Sequence, residues 1–164
     1  MAIQLATTDA HSSGSDIPGA NHTFVVAIDP ATGSVYASRG GPGSGAGGGG
    51  GIGPTTFTSN SGPYNAAFPD YGSVTGVQTV GYVNAPYSQV TGFLDAFSAS
   101  VNAQNLTYLG PVQNSNSYSS ALLSALGFQP PAPIENAPGY GTPLQPVQMP
   151  KVGGALQPFP QCKP

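Results

Sequence analysis

The chain has 164 residues, a length typical of one domain, and it contains 24 glycines and 18 prolines but only 5% charged residues. Three basic residues against six acidic ones give a net charge of −3, which excludes the clustered cations that bind a nucleic acid. A single cysteine, Cys162, excludes an intrachain disulfide and a cysteine-based zinc cluster, and no run reaches the roughly 18 apolar residues of a membrane span.

The first 20 residues are polar and small, and we expect them to form a flexible N-terminal arm, residues 1–20. The run 1–9 lacks the basic start and the long apolar core of a standard secretory signal peptide. Two locations stay open on this basis: export by another route, and the cytoplasm.

The clearest local signal is a β-hairpin. β-Branched and aromatic residues over 23–29 predict a strand, a turn with Pro30 and Gly33 follows, and 34–38 predicts the returning strand. His22 opens the first strand, and Arg39, the only arginine of the chain, follows the second. Two such residues at one end of a hairpin, in a chain with few charges, indicate a functional site.

The segment 40–53 is almost entirely glycine and predicts a flexible loop. It is not a phosphate-binding loop, because it has no Gly-Lys-Ser/Thr ending and no amphipathic helix after it. Residues 62–72 are aromatic but irregular, whereas spaced valines and threonines over 73–83 predict an extended strand or a strand pair that ends before Pro86.

Two helices are predicted in the second half of the chain, with a short apolar piece over 106–109 between them. The first covers 87–102, and the second takes its N-cap from the polar run 114–117 and ends before Gly127. Their apolar faces consist of Val90, Phe93, Leu94, Phe97 and Val101 in the first helix and Tyr118, Leu122 and Leu126 in the second.

Ten prolines follow Phe128, so residues 129–164 are predicted to be an extended tail that lies over the domain or binds a protein partner. The predicted fold class is therefore α+β, with a small antiparallel sheet packed against two principal helices. The predicted domain covers 21–128.

The run Asn-Ser-Asn-Ser-Tyr at 114–118 resembles the Asn-Cys-x-x-aromatic motif that opens a helix in circularly permuted papain-like proteins, with serine in place of the cysteine. These are the NlpC-type peptidases and the lecithin:retinol acyltransferase-like proteins. In both groups a histidine lies earlier in the chain at the start of a strand, as His22 does here, and the resemblance covers about 22–127.

The resemblance implies a permuted papain-like fold and a hydrolase or acyltransferase that acts on an amide or ester without a cofactor. A peptide or acyl compound would be the substrate, and the peptidase side of the resemblance implies peptidoglycan-type peptides. His22 would be the general base and Ser115 the nucleophile. A second interpretation is a pseudoenzyme, a non-catalytic binding module of the same fold, and a third is a structural protein in which glycine and proline segments act as spacers.

The chemistry of such a site can be stated for the residue types alone. A nucleophile on the first helical turn is close to unpaired N–H groups, which stabilise a developing oxyanion. A thiol has a pKa of about 8.5 and ionises readily, whereas a serine hydroxyl needs a general base. Ser115 is thus a nucleophile, the remnant of one, or, like Asn114, a helix cap, and Ser117 becomes the reactive hydroxyl if the motif is displaced by two residues.

His22 has alternative interpretations as well. It is the base of the site, a strand-edge histidine bonded to backbone, or a metal ligand, although no spacing of other ligands supports a metal. A residue that orients the imidazole would be Ser38 or Tyr36 on the returning strand.

Arg39 also has two interpretations. Its guanidinium binds a substrate carboxylate or phosphate, or it forms an ion pair with Asp29, Asp70 or Asp95 that holds the root of the glycine loop.

Overall fold

The computed structural model describes residues 1–12, 15–43, 55–109, 112–133 and 136–144, and within these it leaves out the side chains of 10–12 and 15–19. The chain forms a curled, six-stranded antiparallel half-barrel sheet with two helices, which confirms the predicted α+β class. The elements in chain order are β1 Ala2–Ser12, β2 Ser15–Ile28, β3 Val35–Pro42, β4 Thr55–Pro63, β5 Val74–Tyr82, α1 Tyr87–Ala103, β6 Thr107–Tyr108 and α2 Ser115–Ala125. The strand order across the sheet is β5-β1-β2-β3-β4-β6.

The predicted flexible arm over 1–20 is wrong for residues 2–12, which form β1 in the interior of the sheet, and for 15–20, which form the first part of β2. β1 pairs with β2 on one side and with β5 on the other, and Ile3 and Leu5 are fully buried. Thr7 and Thr8 gave the segment a polar composition, yet both are buried in the completed sheet. Pairing with strands distant in sequence decides this element, so the domain includes residues before 21.

The predicted hairpin is confirmed. β2 and β3 pair from Val25↔Ser38 to Ile28↔Val35. Gly33 closes the turn at φ 72°, a conformation that glycine adopts without strain, and its N–H donates to the Asp29 carbonyl at 2.8 Å.

Both predicted helices are present within a residue or two of the predicted ends, and β5 covers most of 73–83. All of the apolar residues assigned to the two helix faces are buried. They pack against one face of the sheet, hereafter the helix face, together with Ile3, Val25 and Phe57. The strand β4 was not predicted.

The opposite face of the sheet, hereafter the second face, is also covered. Residues 64–73 lie across it and insert Phe68 and the ring of Tyr64 against Phe24. Because side chains alternate along a strand, His22 lies on this face with Phe24, and the two rings stack at 6.3 Å between centroids. The second face therefore carries one of the two groups on which the sequence interpretation depends.

Residues 136–144 of the proline-rich segment pack on the domain. The N–H of Asn21 donates to the Asn136 carbonyl at 2.9 Å, and Ala137 and Leu144 are buried. The predicted glycine loop over 40–53 is wrong for residues 40–42, which extend β3 and pair with β4. Residues 44–53 of that loop and 145–164 of the predicted tail lie outside the described residues.

Tyr118 connects the helix face to the sheet. Its ring lies against Phe57 and Phe97, its hydroxyl is 2.7 Å from Ser38 Oγ, and burial raises its pKa from 10.0 to about 12. The unfolded chain therefore loses this proton at a lower pH than the folded chain does. The stability that this tyrosine contributes is complete below pH 10 and is lost as the pH rises to about 12.

We predict from Tyr118 that the free energy of unfolding falls by roughly 2–3 kcal/mol between pH 9 and pH 12, since each unit of pKa difference corresponds to about 1.4 kcal/mol. Urea unfolding at the two pH values measures this loss. Tyr118→Phe should show a smaller loss over the same pH range. An equal loss in the parent and in Tyr118→Phe would show that another group titrates.

Candidate functional site

Asp70 joins His22 to Arg39 on the second face. Its Oδ2 atom is 3.3 Å from His22 Nε2 and 3.0 Å from Arg39 Nε. The side chains of His22 and Asp70 are 9% and 11% exposed, and that of Arg39 is 23% exposed. A single, nearly buried carboxylate oxygen thus contacts both the imidazole and the guanidinium.

The contact between Arg39 and Asp70 is an ion pair, because the buried Nε–H of Arg39 does not point at the oxygen in hydrogen-bond geometry. The loop holds Asp70 through its backbone: the hydroxyls of Tyr64 and Ser73 donate to the Asp70 carbonyl at 3.1 and 2.9 Å. The carboxylate is therefore positioned by residues 64–73 and not by the strands that carry its partners.

The second part of the site is the first turn of α2. Asn114 is the N-cap, and its Oδ1 accepts from the N–H groups of Asn116 and Ser117 at 2.9 and 3.2 Å. Ser117 Oγ in turn accepts from the Asn114 N–H at 2.8 Å and donates to the Val112 carbonyl at 3.1 Å. The hydroxyl of Ser117 thus belongs to a capping box, and Asn114, not Ser115, caps the helix.

Ser115 is the first helical residue, and it is buried. Its side chain and its backbone N–H lie near the hydroxyl of Tyr108. Burial raises the pKa of Tyr108, whereas the polar groups of Ser115 and the positive charge of Arg39 lower it, and burial has the larger effect. Tyr108 therefore lies near the start of α2 and close enough to Arg39 for the positive charge to affect the pKa of its hydroxyl.

Asn116 fastens the start of α2 to β2 on both sides of His22. Its Oδ1 accepts from the Thr23 N–H at 2.7 Å and from the Thr23 hydroxyl at 3.0 Å. Its Nδ2 donates to the carbonyls of Asn21 and Pro138 at 2.8 and 2.9 Å. Because the carbonyl of residue 21 and the N–H of residue 23 point to the same edge of a strand, the amide takes the place of a neighbouring strand next to His22.

β3 leaves this part of the β2 edge free. The described β2–β3 pairing ends at Val25↔Ser38, and beyond it Gly40 packs against the helix: an added Cβ there would be 2.6 Å from Phe57 Cζ and 2.7 Å from Tyr118 Cβ. We call this place, where α2 enters between the diverging strands, the seam. His22 lies on its β2 side and Arg39 on its β3 side.

The three residues of the sequence hypothesis are thus carried by elements that meet at the seam. Asp70 brings Arg39 and His22 together, and Asn116 brings the backbone next to Ser115 to the backbone of His22. Their side chains differ in direction, because His22 lies on the second face whereas Ser115 begins the helix that packs on the helix face. The imidazole and the hydroxyl therefore do not face each other, and the edge of β2 between the two faces is occupied by Asn116.

The residues predicted to orient the imidazole have other partners. Ser38 Oγ lies by the Tyr118 hydroxyl, and the Tyr36 hydroxyl donates to Asp95 at 2.7 Å. Asp70 contacts His22 instead. From the sequence, Asp70 was only one of three candidate partners for Arg39, and no local pattern indicates that a loop 48 residues after His22 returns to it.

The three candidate carboxylates of Arg39 are distinguished by the structure. Asp29 accepts from the Ala31 N–H and the Thr32 hydroxyl in the hairpin turn, and Asp95 accepts from the hydroxyls of Tyr36 and Ser61. Asp70 is the partner of Arg39.

Within the described part of the chain, no three His, Cys, Asp or Glu side chains group closely enough to hold a metal ion. None of the described helices is long and apolar enough to cross a membrane. Comparison with protein-family models, with curated proteins and with solved structures gave no match. The function of this chain is therefore inferred from the geometry of the seam.

Proposed function

We propose that this chain is a hydrolase or acyltransferase of the permuted papain-like type, which acts on an amide or ester bond at the seam. His22 is the general base and Ser115 the nucleophile. The contact between the Asp70 carboxylate and His22 Nε2 carries this proposal, because a buried carboxylate against an imidazole orients the ring and stabilises the imidazolium that forms when the ring takes a proton.

The reaction would have two steps. Ser115 Oγ attacks the acyl carbon while the imidazole takes the hydroxyl proton; because the two side chains lie on different faces of the sheet, this step requires the start of α2 and the end of β2 that carries His22 to move together. The imidazolium then gives that proton to the departing amine or alkoxide as the C–N or C–O bond breaks. In the second step water, or an acceptor in an acyltransferase, loses a proton to His22 and attacks the acyl-serine. The acid or the new acyl product leaves, and the Ser115 hydroxyl is restored.

Other residues of the seam have supporting roles in this scheme. Asp70 orients the imidazole and stabilises the imidazolium that forms. The N–H of Ser115, at the positive end of α2, would donate to the developing oxyanion once the substrate oxygen replaces the hydroxyl of Tyr108. Asn116 positions the helix start, and it does not take part in proton transfer.

Labelling with an uncharged alkyl fluorophosphonate tests the proposal, because a nucleophilic serine displaces fluoride from phosphorus. We expect one label per chain on Ser115, none on Ser115→Ala, and a rate at least about 100-fold lower for His22→Ala. Ser117→Ala is the matched control: it removes a neighbouring hydroxyl from the capping box and should keep its label. A parent labelled elsewhere, or a His22→Ala rate equal to that of the parent, would refute the proposal.

A second candidate function is a non-catalytic binding module of the same fold. The contact of Tyr108 with both the hydroxyl and the backbone of Ser115 favours it, since those are the groups that a substrate would need. If the chain is a binding module, the parent stays unlabelled by the fluorophosphonate, whereas Ser115→Cys reacts with a thiol-directed electrophile such as iodoacetamide. Stoichiometric labelling of the parent at Ser115 would exclude this candidate.

A further inference from the structure

The outer end of Arg39 is available to a ligand. Its Nε contacts Asp70, and within the described part of the chain no hydrogen bond or second ion pair engages the two terminal nitrogens. The side chain is 23% exposed, and the terminal nitrogens are not among the buried polar atoms without a partner. The guanidinium thus uses one side for Asp70 and presents the other toward solvent.

Gly41 forms the wall beside this end of Arg39. A Cβ at Gly41 would come within 3.1 Å of Arg39 Nη2, so glycine lets the guanidinium lie directly against the strand backbone. Asp70 contacts the guanidinium at Nε, and the backbone at Gly41 borders its outer end. An arginine that is positioned in this way loses less conformational freedom when it binds a ligand than an unrestrained surface side chain does.

We propose that the terminal nitrogens of Arg39 bind a carboxylate of the substrate, next to the bond that reacts; this inference rests on the proposed function. Arginine presents two parallel N–H donors that match the two oxygens of a carboxylate. Arg39 and His22 contact the same oxygen of Asp70, so the guanidinium and the imidazole are separated by a single carboxylate atom. The positive charge of Arg39 also lowers the pKa of Tyr108, which lies near Ser115.

The charges favour a carboxylate over a phosphate. Arg39 and Asp70 cancel, and when His22 takes a proton during the reaction the three groups carry one net positive charge. One carboxylate balances it. A phosphate dianion would leave excess negative charge beside Asp70.

The test is a titration of the full chain with glutarate, followed by the backbone amide NMR signals. We expect saturable shifts centred on Gly40 and Gly41, at constant ionic strength set with sodium chloride, and weaker binding of inorganic phosphate. Arg39→Lys keeps the charge and loses the fork, so its affinity should fall at least about 10-fold.

Gly41→Ala provides a second variant that keeps Arg39, and its Cβ should displace the guanidinium and weaken glutarate binding several-fold. No saturable shift at 40–41, tighter binding of phosphate, or unchanged affinity in Arg39→Lys would each overturn the inference. The titration does not involve the nucleophile, so it should give the same result in Ser115→Ala. Glutarate binding without fluorophosphonate labelling would therefore reject the proposed reaction and support the carboxylate site. Labelling without glutarate binding would support the reaction and reject the carboxylate site.

Discussion

Replacing Asn116 by alanine is expected to lower the free energy of unfolding by about 3–5 kcal/mol, because four buried or partly buried partners lose their hydrogen bonds at once. These are the N–H and hydroxyl of Thr23 and the carbonyls of Asn21 and Pro138. Each buried polar group without a partner costs about 1–3 kcal/mol, and water entering the small cavity recovers part of the loss. Urea unfolding of parent and variant measures the difference.

Asn102→Ala is the matched control for this experiment. Asn102 also bonds a strand from a helix, through the N–H, carbonyl and hydroxyl of Ser59, but it is exposed, so water replaces the lost bonds. Its cost should remain within about 1 kcal/mol. If Asn116→Ala costs no more than Asn102→Ala, the amide does not fasten α2 to β2, and the seam loses its structural basis.

The elements that could be predicted from the sequence are those with local signals. The turn with Gly33 fixed the hairpin, and the spacing of apolar residues fixed α1 and the inner face of α2. Asn114 and Gly127 marked the ends of α2, as the capping box and a φ of 90° at Gly127 confirm. Each of these signals depends on residues within a few positions of one another, so it does not require knowledge of partners that are distant in sequence.

β1 and β4 lacked such signals. β1 contains Thr7 and Thr8, and β4 is rich in serine and threonine, so both looked like polar connections. Their stability comes from partners distant in sequence: Ala2 pairs with Ile28 and with Tyr82. Composition cannot reveal such pairing, because the sheet satisfies the backbone and buries the threonines only after it has assembled.

The residues of the candidate site fall into the same two groups, those with a local sequence signal and those that reach the site only by packing. His22, Arg39 and Ser115 were found because each begins or ends an element that the sequence predicts. Asp70 and Tyr108 were not assigned to the site, since each reaches it by packing of a loop or a two-residue strand on the sheet. The hypothesis therefore contained the candidate reactive groups and lacked the residues that the structure packs against them.

Asp70→Asn should lower the rate of fluorophosphonate labelling at Ser115 by roughly 10²–10⁴-fold, the range seen when the residue that supports a catalytic base is changed. The amide has nearly the shape of the carboxylate, yet it presents either an oxygen or an NH₂ group to His22 and carries no charge to stabilise the imidazolium. Loss of the ion pair to Arg39 should also lower the free energy of unfolding by about 1–3 kcal/mol, less than for a fully buried pair because Arg39 is 23% exposed.

Asp95→Asn makes the same chemical change at an exposed carboxylate that accepts from Tyr36 and Ser61. It should leave the labelling rate unchanged and alter stability by less than about 1 kcal/mol. Parallel measurement of labelling and urea unfolding separates the two effects of Asp70, since a purely structural ion pair would change stability and leave the rate per folded molecule as in the parent. That result would restrict Asp70 to holding the loop 64–73 on the second face, and His22 would then lack the partner on which the proposed chemistry depends.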